Sequence, residues 1–137
     1  RGSNPEDYVK GNENILYPKW EKGHYKGGIG EYDRLEQARK INREAADASA
    51  SWGMFQIMGF NYAACGEESI ESFVRSMCES EFKQLLLTAN FIKKNSQMLQ
   101  ALQARDWAVF AKCYNGPAYA QNRYDVKLEA AYQKYSL

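Results

Sequence analysis

The stretch that decides the fold runs from Ser49 to Asn61 and reads SASWGMFQIMGFN. It places one amide, Gln56, inside an otherwise apolar run with a glycine on each side. Burying an amide costs free energy unless the amide is hydrogen-bonded, so Gln56 needs a partner in the fold or in a ligand. A second polar segment, YNGP at residues 114–117, follows later in the chain. The two segments together favour a ligand-binding interpretation.

Composition limits the classes of protein to which the chain can belong. Its 137 residues are enough for one domain with a buried core, and 45% hydrophobic with 14% aromatic residues argue against disorder. The formal net charge of +1 gives no case for a nucleic-acid partner. No run reaches the roughly 18 to 20 apolar residues of a membrane span, so none is predicted.

The first part of the chain reads as irregular. Residues 1–30 are rich in glycine and proline with scattered tyrosines, and such a segment needs a surface to lie on. We expect residues 1–137 to form a single domain, irregular over 1–30 and helical over 31–137. We also expect this domain to be truncated at its N-terminus.

The cysteines and the histidine indicate no cofactor. Cys65, Cys78 and Cys113 show no metal-binding spacing and are interpreted as small buried hydrophobic residues in a chain made in a reducing compartment, with their pairing left open. His24 is the only histidine, so we predict neither a metal site nor a cofactor.

Hydrophobic periodicity predicts a mainly α domain of about six short helices. One helix is expected over Glu31–Asp47, and residues 50–58 are expected to form a short, mostly buried helix. The helix after Ser80 is expected to turn one apolar face inward, formed by Phe82, Leu85, Leu86, Ala89 and Ile92. The predicted N-caps are Ser69, Ser80, Asn95 or Ser96, and Asp106, and Pro117 is expected to begin the last helix.

The polar segments have the chemistry of a sugar groove. A glycosidase needs a carboxylic acid and a groove that positions the sugar, and amides and tyrosines can bind hydroxyl and acetamido groups without net charge. Gln56, Tyr114 and Asn115 are of these types. Taken alone, Gln56 equally fits a structural position in a helix, and residues 114–116 equally fit a helix C-terminus.

An ordered series of motifs resembles the N-acetylmuramidase catalytic domain of phage endolysins. The motifs are SWGMFQIMGFN at 51–61, DWAVFA at 106–111, YNGPAY at 114–119 and YDVKL at 124–128, and the likeness runs from about residue 17 to the end. It implies a lysozyme-like, α-rich fold with a sugar groove. It also implies cleavage of the peptidoglycan glycan strand after N-acetylmuramic acid.

The same resemblance suggests site residues. It implies that Gln56, Tyr114 and Asn115 line the groove, and that Ser51 and Trp52 shape its floor. In this family the catalytic glutamate lies ahead of the segment that matches residues 17–30, so the resemblance places the acid on no residue of this chain.

Carboxyl groups within the chain offer one weak candidate for the acid. The in-chain candidate is Glu44, twelve residues before Gln56, although it lies among charges on what reads as a solvated helical face. Glu31 reads as a helix-terminal residue that interacts with the helix dipole.

Two other functions stay open from the sequence. One is a lytic transglycosylase, which leaves anhydro-muramic ends, and the other is a non-catalytic peptidoglycan-binding domain. In each case the expected partner is the peptidoglycan glycan strand, together with a missing N-terminal segment of the same protein. We expect synthesis in the cytoplasm and action on the bacterial cell wall, in the periplasm or from outside.

Overall fold

The computed structural model describes residues 4–17 and 23–136, and this part of the chain is mainly α-helical, which confirms the predicted fold class. The α-helices are α1 Gly30–Ile41, α2 Arg43–Ser49, α3 Ile70–Glu79, α4 Glu81–Lys94, α5 Ser96–Ala104, α6 Trp107–Asn115 and α7 Tyr124–Tyr135. The strands are β1 Ser51–Trp52 and β2 Ile57–Met58. Short 3-10 helices cover Pro5–Tyr8, Gly59–Asn61 and Pro117–Asn122.

Short polar side chains begin most of the helices, as the sequence predicted. Ser69 and Ser72 form a reciprocal capping box at the start of α3. The side-chain oxygens of Ser80, Asn95 and Asp106 accept backbone N–H bonds in the first turns of α4, α5 and α6. These capping bonds set the helix starts through local chemistry.

Two predicted helices have different bounds in the structure. The helix expected over Glu31–Asp47 is broken at Asn42, whose extended backbone separates α1 from α2 and whose side chain caps α2 through the Ala45 N–H. Pro117 begins a 3-10 helix, and α7 starts only after Arg123, which has a left-handed backbone. In both cases a residue with non-helical backbone, Asn42 or Arg123, stands directly before the next α-helix.

Residues 50–58 form an antiparallel hairpin, so the short buried helix predicted there is wrong. Ser51 pairs with Met58 and Trp52 pairs with Ile57. The turn that joins the strands contains Gly53 with φ +72° and Gln56 with φ +51°, which are left-handed conformations that a helix does not use.

Two core clusters support the fold. One packs Phe73 and Met77 of α3 against both hairpin strands and Leu87 of α4, and the other joins α5 to α6. Half-buried Phe91 packs against both clusters and so connects them.

The apolar face expected on α4 is wrong in part. Phe82, Leu85 and Leu86 are exposed, whereas Leu87 and Thr88 are buried. Packing against α3 and α5 therefore turns α4 away from the orientation that its periodicity favours.

The cysteines are free thiols in three different environments. Cys65 is buried, as expected, and its burial raises the pKa of its thiol to about 11. Cys113 is half-buried. Cys78 is exposed near the end of α3, so its predicted burial is wrong.

Candidate functional site

A cleft of about 1020 Å³ lies beside the hairpin. Its walls come from the hairpin, from one side of α1 and α2, and from parts of the N-terminal segment. We call it the hairpin cleft, and it is defined by Tyr17, Tyr25, Glu31, Tyr32, Arg34, Ser49, Ser51, Trp52 and Gln56 together with apolar residues of α1 and α2. The cleft therefore combines aromatic, amide and hydroxyl groups on one continuous surface.

Gln56 is fixed in the cleft by the turn that carries it. Its backbone N–H and its side-chain Nε2 both donate to the carbonyl oxygen of Gly53, at 3.3 and 2.8 Å. The side chain of Gln84 supports the turn from below, since its Oε1 accepts from the Met54 N–H at 2.9 Å. The Oε1 of Gln56 has no hydrogen bond among the described residues, and Gln56 is an exposed residue that lines the cleft.

Trp52 is one of the residues that line the cleft. Its side chain is buried, and its Nε1 donates to the backbone oxygen of Asp47 at 2.9 Å. The buried carboxylate of Asp47 in turn accepts from Arg39 Nε at 2.7 Å. Beside Trp52, the Ser51 hydroxyl is exposed and lies 3.0 Å from the sulfur of Met58, a weak acceptor. Trp52 is thus held by a hydrogen bond to Asp47, which Arg39 holds in turn, and the neighbouring residue Ser51 is polar and exposed.

The carboxylate of Glu31, another residue that lines the cleft, accepts several hydrogen bonds. Glu31 accepts from the backbone N–H groups of Lys26 and Gly27, at 2.6 and 2.9 Å, and from Arg34 Nη1 at 2.8 Å. These donors lower the pKa of Glu31, the backbone bond from Gly27 most strongly. Glu31 is therefore ionised at neutral pH. Arg34 also lies over the ring of Tyr25, 4.8 Å from its centroid.

A second cavity, of about 560 Å³, lies among α4, α5, α6 and α7. We call it the helical cavity, and it is lined mainly by Phe55, Leu85, Ile92, Leu99, Leu102, Phe110, Tyr114, Asn115, Tyr124 and Leu128. Asn115 lies where α6 ends before Gly116, which has a positive φ. The surroundings are apolar, in contrast with the hairpin cleft.

Tyr114 links the two cavities. Its hydroxyl donates a hydrogen bond to the backbone oxygen of Phe55, the residue before Gln56. Burial raises the pKa of Tyr114 to about 12, so the hydroxyl keeps the proton that this bond requires. Tyr114 therefore lines the helical cavity and also bonds to the turn that carries Gln56 of the hairpin cleft.

The structure brings some of the predicted site residues together and separates others. Gln56, Ser51 and Trp52 share the hairpin cleft, whereas Tyr114 and Asn115 lie against the helical cavity. Glu44 is exposed in the first turn of α2 and lines neither cavity.

Sequence reasoning missed Tyr25 and Arg34 as cleft residues. The available signal was a tyrosine next to the glycine-rich turn at 27–28, with a carboxylate at residue 31 and an arginine three residues later on the same helical face. That spacing predicts the Glu31–Arg34 pair, but it does not predict that the pair faces the hairpin.

Replacing Tyr114 by phenylalanine tests this link. Tyr114→Phe removes the only described hydrogen bond between α6 and the hairpin turn. We expect a loss of about 1–2 kcal/mol in the free energy of unfolding, measured by urea denaturation. The matched control is Tyr124→Phe, since Tyr124 is half-buried in the same cavity and its hydroxyl has no hydrogen bond among the described residues. Equal stability of the two variants would contradict the role of the Tyr114 hydroxyl.

No helix within residues 4–17 and 23–136 is long and apolar enough to cross a membrane. In the same part of the chain, no three histidine, cysteine, aspartate or glutamate side chains lie close enough to share a metal ion.

Comparison with known proteins gives two positive findings. The family model described as N-acetylmuramidase matches residues 1–136. The crystal structure of the Burkholderia AP3 phage endolysin is similar, with a TM-score of 0.85 and 41% sequence identity. The match covers 96% of this chain and 50% of that one, so this chain spans about half the length of that endolysin. No match to a curated protein reaches significance.

Proposed function

This chain belongs to the N-acetylmuramidase family, and from that premise we propose that it hydrolyses the glycan strand of peptidoglycan. The observation that carries the proposal is the hairpin cleft, which Gln56 and Ser51 line together with Tyr17, Tyr25 and Tyr32. Such groups bind the hydroxyl and acetamido edges of a sugar while aromatic rings contact its apolar face.

The described residues act mainly by positioning the strand. Trp52 and Ser51 form the floor, and Gln56 offers a fixed acceptor above them. Tyr114 holds the turn of Gln56 through the oxygen of Phe55. We propose Asn115 as a further groove residue at the end of α6, next to Tyr114.

Cleavage of a glycosidic bond requires a protonated carboxyl group close to the leaving oxygen. Glu31 is the carboxyl group among the described cleft residues, and its lowered pKa keeps it ionised. We therefore assign Glu31 to positioning and assign the proton donor to no described residue of the cleft. Glu44 stays the in-chain candidate, although it is exposed outside the cleft.

We further propose that residues 1–137 belong to one muramidase domain whose substrate is the bacterial cell wall. The protein would be made in the cytoplasm and would act in the periplasm or from outside. Its expected partners are peptidoglycan strands, with no nucleic acid among them.

A second candidate function is supported by the hydrogen bonds of Glu31, the carboxyl group among the described cleft residues, because its carboxylate is already bound by Lys26, Gly27 and Arg34. A cleft that holds sugar without a protonated carboxyl group binds the strand and does not cut it. This chain would then be a peptidoglycan-binding domain.

Analysis of products from purified peptidoglycan separates these functions. The protein is incubated with the polymer, the products are reduced with borohydride, and the fragments are identified by mass spectrometry. Hydrolysis gives reducible N-acetylmuramic acid ends, whereas transglycosylation gives anhydro ends that are one water lighter and are not reduced. Binding without new ends would favour the second function, and neither binding nor new ends would contradict both.

The same assay tests whether Gln56 contributes to the site. Gln56→Ala removes both the Oε1 acceptor and the Nε2 bond to the Gly53 oxygen, and we expect at least a tenfold loss of product formation, about 1.4 kcal/mol of transition-state binding. Gln121→Ala is the control, because Gln121 is an exposed glutamine of the 3-10 helix Pro117–Asn122 and lines neither cavity. Unchanged turnover by Gln56→Ala would exclude Gln56 from the site.

A further inference from the structure

We propose that the ring of Tyr25 is a stacking platform for an N-acetylhexosamine ring of the strand, and that the Glu31–Arg34 pair holds this ring in place. The inference deepens the proposed function and rests on it. It adds an aromatic subsite to the cleft that Gln56 also lines.

The first step is the exposure of Tyr25. Its side chain is 62% exposed, although it lines the hairpin cleft. The guanidinium of Arg34 lies over the ring, 4.8 Å from the centroid, and so occupies one face. Because Tyr25 is largely exposed, its ring keeps apolar surface in water, which a sugar ring can cover with its C–H groups.

The second step is that the platform is held before any ligand arrives. Glu31 accepts from the N–H groups of Lys26 and Gly27, the two residues that follow Tyr25. The same carboxylate accepts from Arg34 Nη1, and Arg34 Nη2 donates to the backbone oxygen of Asn14 at 3.0 Å. One carboxylate therefore fixes both the loop and the cation behind the ring. A platform ordered in advance loses little entropy when it binds.

The third step is the charge of this wall. Arg34 is paired with Glu31, so the two charges offset each other beside the ring. A neutral wall favours an uncharged sugar face over an anionic group. The same cleft is also lined by Gln56 and Ser51, whose polar side chains can bind hydroxyl and acetamido groups of the strand.

The test measures binding of soluble glycan fragments that alternate N-acetylglucosamine and N-acetylmuramic acid, by isothermal titration calorimetry on the whole chain. Tyr25→Ala is expected to weaken binding about three- to tenfold, whereas Tyr25→Phe keeps the ring and is expected to bind as the parent does. Tyr25→Leu keeps apolar bulk without the aromatic ring and is expected to bind as weakly as Tyr25→Ala. The control is Tyr135→Ala, because Tyr135 is 73% exposed on α7 and lines neither cavity.

Glu31→Gln tests the proposed role of the Glu31–Arg34 pair in holding the ring of Tyr25. It keeps the size of the side chain but removes the charge that pairs with Arg34. We expect it to weaken binding by a similar factor, and to have little further effect when combined with Tyr25→Ala, since both changes act through one platform. Additive losses would show that Glu31 acts elsewhere.

The outcomes separate this inference from the proposed function. If the parent chain binds the fragments and Tyr25→Ala binds equally well, the platform is excluded and the proposed function stands. If the parent chain neither binds the fragments nor cuts peptidoglycan, the proposed function fails and the platform fails with it.

Discussion

Gly59→Ala is expected to remove at least about 3 kcal/mol from the free energy of unfolding, enough to abolish cooperative folding of a marginal domain. A Cβ at residue 59 would lie 2.1 Å from the backbone oxygen of Asp47 and 2.8 Å from Cδ1 of Ile70. A backbone oxygen cannot move aside as a flexible side chain can. The hairpin, α2 and α3 would have to separate, and the floor of the cleft would shift with them.

Gly30→Ala is the comparison for this variant. A Cβ there would lie 2.9 Å from the Cβ of Lys26, so the exposed loop that carries Lys26 would have to shift, whereas the buried backbone at Asp47 is fixed by packing. We expect a loss within about 1 kcal/mol, as for a tolerated surface change. Urea denaturation of both variants measures the difference, and similar stability of the two would show that the close contact at Gly59 does not limit the fold.

Asp47→Ala is expected to lower the free energy of unfolding by about 3 kcal/mol, because it leaves the guanidinium of Arg39 without its buried partner. The carboxylate of Asp47 is only 6% exposed and accepts from Arg39 Nε at 2.7 Å. Arg39 keeps its bond to Glu36 at 2.6 Å, so the loss is at the low end for a broken buried pair. Since Arg39 also lies near the ring of Trp52, we expect weaker glycan binding as well.

The matched control is a surface ion pair on α3. Glu71→Ala removes the partner of Arg75, and both side chains are largely exposed. We expect the free energy of unfolding to change by no more than about 0.5 kcal/mol, since exposed ion pairs contribute little to stability. Raised salt should leave the cost of Asp47→Ala nearly unchanged, because buried pairs are screened less than exposed ones. A cost for Asp47→Ala no greater than that for Glu71→Ala would contradict the structural role of the buried pair.

The features predicted well from sequence depend on neighbouring residues. Ser69, Ser80 and Asp106 start helices because their side chains bond to N–H groups three residues away. The family and the lysozyme-like fold follow from an ordered series of motifs, because those motifs are specific to one group of proteins.

The features that were missed depend on distant residues. The hairpin turn needs Gln84 under Met54 and Tyr114 against Phe55, contacts that span 30 and 59 residues. Without them, the apolar run at 50–58 reads as a helix. Tyr25 was missed for a similar reason, because only the folded structure places the wall of Glu31 and Arg34 on the same cleft as Gln56.

The central claim is that the glycan strand binds in the hairpin cleft. It is tested most directly by following the backbone amide signals of the ¹⁵N-labelled chain while a short, soluble glycan fragment is added. We expect the largest shifts at Ser51, Gln56 and Arg34, with the amides of Leu99 and Leu128 in the helical cavity unmoved. Shifts confined to the helical cavity, with the cleft amides unchanged, would contradict the claim.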